Sequence, residues 1–137
     1  MGDASRLQAL TALFAGLDAA ERLEVLTDYA GRLPPLDPTW AAARDAGLHL
    51  VLECQAPVFF VAFCAEGCVR IHADVPAEAP VARGFVSMLI ETFDGADCQE
   101  VRDAPEDLLG VLGLAVALGM RRRQGLGAIY RRLKEAG

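Results

Sequence analysis

The chain has 137 residues, 53% of them hydrophobic, and a net charge of −6. That length fits one domain with a core of its own, and the apolar content excludes intrinsic disorder. The acidic balance argues against bulk nucleic-acid binding, whose affinity rests on neutralised phosphates. The basic charge is concentrated at the end: residues 120–137 carry six basic side chains against one acidic.

In chain order, Asp3 is placed to cap a first helix, with Leu7, Leu10, Phe14 and Leu17 close to helical period. Asp18-Ala-Ala-Glu21 has the form of a capping box. The helix it opens puts Leu23, Leu26, Ala30 and Leu33 on one face, and Pro34-Pro35 ends it. Asp37-Pro38 starts a short helix through Arg44, closed by Gly47. A short strand is expected over His49–Leu52. Val58 to Cys64, apolar on both faces, reads as a central strand. Ala65-Glu66-Gly67 supplies a three-residue hairpin loop with Gly67 in the left-handed position, and Cys68 to Ala73 returns. From Pro80 the period turns helical through Phe93, and Gly95 stops it. Asp97-Cys-Gln-Glu100 suggests a capping box over a short helix. Pro105 opens another helix through Leu112, and a last helix runs from Arg121 to Ala136. The order predicts a single α+β domain: a helix pair, an antiparallel sheet of about three strands, and C-terminal helices on one sheet face.

No signal peptide is expected, because residues 1–6 lack a basic segment leading into an apolar one, and Arg6 departs from the myristoylation pattern. No membrane span is expected either. The run Leu108–Met120 is short, and Leu48–Ala65 is broken by Glu53 and Pro57. The four cysteines, Cys54, Cys64, Cys68 and Cys98, then read as reduced cytoplasmic thiols. No pair has Cys-x-x-Cys spacing, and only His49 and His72 could add imidazole to a metal site. Cys64 and Cys68 flank the predicted hairpin and could face each other, with ordinary strand packing preferred over a disulfide or metal pair. Cys98, inside a capping turn, is expected to be inert. Cys54, before Gln55-Ala56-Pro57 at a bend between strand-like segments, is either a thiol presented for reaction or a small buried hydrophobe.

Four stretches carry a family likeness. They are Arg32-Leu-Pro-Pro-Leu36; Val51-Leu-Glu-Cys-Gln-Ala-Pro-Val-Phe-Phe-Val61; Ala73-Asp74 with Ala82-Arg-Gly84; and Arg122-Arg-Gln-Gly-Leu126. In this order and at this spacing the sequence resembles the SufE sulfur-acceptor proteins of iron–sulfur cluster assembly, from about Leu13 to Glu135. The resemblance implies an acceptor cysteine at Cys54, a functional arginine at Arg122 and partner-binding roles for Gln55 and Asp74. It implies that Cys54 takes persulfide sulfur from a cysteine desulfurase and relays it to an iron–sulfur scaffold. The chain would then act as acceptor and activator rather than as an independent enzyme. Pyridoxal phosphate would belong to the desulfurase, leaving this chain without cofactor or metal. Departures from the family pattern are Glu53 for glycine, Ala56-Pro57 for Ser-Gln, Phe59 for Trp, and Gly119-Met120-Arg121 for Thr-Pro-Ser. Two other classes compete with this reading: a metal or cluster module using Cys54, Cys64, Cys68 and Asp74, and an interaction domain that has kept the fold and lost the chemistry.

Overall fold

In the computed structural model, which describes residues 2–137 and the side chains from Arg6 onward, the chain forms an α+β fold. Helix α1 (Gly2–Ala15) and helix α2 (Ala19–Ala30) form the expected pair. The cap expected at Asp3 falls on side chains outside the described set. The Asp18 box is present: Asp18 Oδ1 accepts from the Glu21 amide, and Glu21 Oε1 accepts from the Asp18 amide, each at 2.9 Å. Asp37 caps a 3₁₀ turn (Pro38–Trp40) that runs into α3 (Ala41–Asp45).

The sheet is a two-stranded hairpin, β1 (Phe59–Ala65) and β2 (Cys68–Asp74), with Phe60 opposite Ala73 and Cys64 opposite Val69. The expected loop of three residues is a turn of two. Ala65 still belongs to β1, and both Glu66 and Gly67 take positive φ, 55° and 80°. Such a turn matches the right-handed twist of the strands it joins. The expected third strand over His49–Leu52 shrinks to one bridge, Leu50 with Phe59. His49 stands at φ 58°, and the chain turns again where the Cys54 amide donates to Val51 O. Only Leu50 is left extended alongside β1.

Helix α4 (Pro80–Phe93) buries one face completely, with Phe85, Met88 and Leu89 at 0% exposure. Gly84 lets α4 lie directly on α2, since a Cβ there would overlap the Leu26 carbonyl. Its neighbour Arg83 donates to Ala30 O and Val75 O, tying the end of α2 to the chain leaving β2. Helix α5 (Cys98–Asp103) is capped by Asp97, which accepts from the Gln99 amide rather than completing a box. Helix α6 (Leu108–Val111) starts later than Pro105, at an Asp107 cap. Helix α7 (Met120–Ala136) closes the domain with Leu126, Ile129 and Leu133 buried. Phe60, Val69, Ile71 and Ala73 point into the helices and share their core. On the other sheet face Trp40 stacks on His72, with centroids 5.1 Å apart, beside Phe63.

The cysteines depart from expectation. Cys64 and Cys98 form a disulfide, so these two are not reduced thiols and Cys98 is not inert. The register explains the pairing. Cys64 lies opposite Val69 and Ala65 opposite Cys68, which sends Cys64 and Cys68 to opposite faces. The Cys98 amide donates to Gly67 O, which brings the start of α5 against the hairpin end. Cys54 and Cys68 remain free. Among the described residues no helix is long and apolar enough to cross a membrane.

Candidate functional site

Cys54 is carried on a closed loop. The Leu50–Phe59 bridge and the Val51 amide donating to Val58 O, at 2.9 Å, fasten its two ends. Pro57 suits the bend, and Val51 and Val58 are buried anchors. The thiol borders a cavity of about 250 Å³ between this loop and the first turns of α4 and α7. Its walls include Gln55 and Ala56 from the loop, Glu78 and Pro80 around the start of α4, and Arg121, Arg122 and Gly125 from α7.

Two helix starts therefore meet at one cavity. The N-cap of α4 is Ala79 and that of α7 is Gly119, and neither offers a side-chain acceptor to the free amides behind it. Uncapped helix N-termini carry partial positive charge and favour an anion nearby. Gly119 is the position where a Thr-Pro-Ser sequence would have given a cap. Gly125 is what lets α7 approach the thiol: a Cβ there would lie 3.1 Å from Cys54 Sγ.

The thiol itself is held protonated at neutral pH. Burial pushes it up to about 11, Glu53 beside it pushes in the same direction, and Arg132 pulls it down. Glu53 Oε2 is 3.7 Å from Arg131 Nη2, an exposed pair. Arg132 donates to Leu50 O at 2.8 Å and reaches His49 O at 3.5 Å. A thiol in this state is sheltered and needs a change of surroundings before it attacks as thiolate.

Of the residues expected from sequence, Cys54, Gln55 and Arg122 come together at the cavity. Asp74 does not join them. It ends β2, and its Oδ2 accepts from Arg44 Nη1 at 2.8 Å, so it braces α3 against the hairpin. Glu78 and Arg132 were missed. Gly125 was read as part of the Arg122–Leu126 stretch without a role at the thiol; it follows Arg122 by three residues, which on a helix is about one turn. Arg132 gave no signal among the arginines of the tail. The residues of the rival metal reading are dispersed: Cys64 is bonded to Cys98, and Asp74 is paired with Arg44. Among the described residues no three His, Cys, Asp or Glu side chains are gathered to hold an ion.

Comparison with known proteins agrees with the motifs. Residues 8–137 match SufE, a Fe-S metabolism associated domain. SufE-like proteins described as uncharacterized, from two strains of Mycobacterium tuberculosis, are each 36% identical over 128 residues, covering 90% of this chain and 87% of theirs. The chloroplastic quinolinate synthase of Oryza sativa is 33% identical over 107 residues, 77% of this chain but only 14% of that protein. A solution structure of a hypothetical protein from Thermus thermophilus superposes with a TM-score of 0.76 at 32% identity, covering 96% of this chain and 92% of that one. The family match over residues 8–137, the similar relatives and the shared fold converge, and the chain belongs to the SufE family of Fe-S metabolism.

Proposed function

We propose that the protein receives persulfide sulfur on Cys54 from a cysteine desulfurase and passes it to an iron–sulfur assembly scaffold in the cytoplasm. The observation that supports this most is Cys54 itself, at the signature position and at the wall of a cavity bounded by two uncapped helix starts. In the transfer, Cys54 Sγ as thiolate attacks the outer sulfur of the donor persulfide. A new S–S bond forms at Cys54, the donor's S–S bond breaks, and its electron pair leaves with the donor thiolate. The proton of Cys54 must go first. A docked partner that opens the loop to water removes the burial that holds it, and the helix starts then favour the anion. Arg122 and Gln55, on the same cavity, are placed to contact the incoming donor. Pyridoxal phosphate belongs to the desulfurase.

Mass spectrometry of the protein after incubation with a cysteine desulfurase and cysteine tests the reading. One added sulfur on Cys54, lost in Cys54→Ser and kept in Cys68→Ser, supports it. Binding to the desulfurase without sulfur gain would leave a fold-retaining interaction module, the reading favoured by Glu53, Ala56 and Pro57 in the signature. Arg122→Ala should slow transfer more than Arg121→Ala or Arg123→Ala. Equal slowing that fades with salt would mean general steering by positive charge.

A further inference from the structure

Helix α7 faces the Cys54 loop at three heights. Arg122 borders the cavity, Gly125 lies under the sulfur, and two turns further on Arg132 grips the root of the loop. The grip falls on two successive carbonyls, Leu50 O at 2.8 Å and His49 O at 3.5 Å. His49 is the residue whose backbone is left-handed, at φ 58°, a conformation uncommon outside glycine that histidine adopts more readily than most side chains. Its carbonyl also accepts from the Phe60 amide at 3.2 Å. One guanidinium thus fixes the entry to the loop while its charge reaches the sulfur.

We propose that Arg132 is a positioning residue for Cys54, clamping the root of the thiol-bearing loop and offsetting the charge that Glu53 places beside the sulfur. The inference rests on Cys54 being the reacting thiol. The charged groups around Cys54 are Glu53 on its own loop, Glu78 before α4, and Arg121, Arg122, Arg131 and Arg132 on α7. Arg131 is engaged with Glu53. At the sulfur, Glu53 disfavours the thiolate and Arg132 favours it. This chain carries a glutamate where the family pattern has glycine; Arg131 pairs with that carboxylate, and Arg132 acts on the sulfur in the opposite sense.

The test is alkylation of Cys54 by iodoacetamide across pH, in a Cys68→Ser background so that one free thiol is followed. It needs no desulfurase, so its outcome is separate from that of sulfur transfer. Arg132→Met should move the alkylation midpoint upward and slow the reaction at pH 8 by about threefold or more, since one unit of pKa is tenfold in thiolate. Arg132→Lys should recover most of the rate, and Arg123→Met, an exposed arginine of α7 outside the cavity wall, should leave the profile in place. A profile for Arg132→Met that overlays the parent overturns the proposal. So does a lysine variant as slow as the methionine one, or an equal shift in Arg123→Met. If Arg132→Met fails to fold, Arg132→Gln against Arg132→Lys reads the same difference.

Discussion

Cys54 shows how a side chain can border a cavity and still be held as the unreactive thiol at rest. Its thiol is pushed up to about 11 from an ordinary value of 9.0, first by burial and then by Glu53. Glu53→Gly should therefore speed alkylation at neutral pH, modestly, because solvent screens a half-exposed carboxylate. An unchanged rate would mean that burial alone sets the thiol. The same shift has a sign in stability. The folded chain keeps this proton where the unfolded chain loses it, so the thiol's contribution is whole below about pH 9. It is lost as pH rises from there towards 11. Wild-type unfolding midpoints should fall faster across that window than those of Cys54→Ser, and parallel curves would refute the shift.

At the level of elements, much was legible because the signals are local. Asp18 with Glu21, Pro80 and Gly95 each act on neighbours a few residues away, and the start of α2 and both ends of α4 follow from them, whereas α2 ends at Ala30, short of the expected Pro34-Pro35 stop. The third strand failed for a reason invisible to periodicity: His49 takes a left-handed backbone and only Leu50 pairs. The site was legible as far as one chain segment reached, at Cys54 and Gln55. That the starts of α4 and α7 would meet there depends on how α4 lies on α2. Gly84 decides that packing. Gly84→Ala should cost about 3 kcal/mol or more in urea unfolding, because backbone rather than a side chain must move. Gly31→Ala is the control. A Cβ there meets Asp28 O at 3.6 Å in ordinary contact, and the change should stay within about 0.5 kcal/mol.

For the whole molecule, the small sheet depends on what is fastened to it. The Cys64–Cys98 disulfide closes a span of 34 residues that includes β2 and α4. The chain-entropy argument assigns such a closure about 3–4 kcal/mol. Cys98→Ser and treatment with a reductant should lower thermal stability by similar amounts, while alkylation of Cys54 in the serine variant stays near that of the parent. A large loss of Cys54 reactivity would reveal coupling between the hairpin end and the thiol loop. No sequence rule pairs cysteines so far apart. The hairpin register, the Gly67–Cys98 hydrogen bond and the bonds that tie Gly95 and Ala96 to Val69 bring them together. Lys134 fastens the other side, its Nζ donating to Val101 O, Arg102 O and Ala104 O at the end of α5.

The grip of α7 on the Cys54 loop also makes that helix a measuring rod. Gly125 and Arg132 are seven residues apart, close to two full turns, so they share one side of the rod about 10 Å apart. Inserting one residue between them would swing Arg132 around the axis by about 100° and leave Gly125 under the sulfur. The thiol would keep its floor and lose its clamp. Insertions in this stretch should therefore harm Cys54 by phase rather than by volume, and adding a whole turn should harm it less than adding half of one.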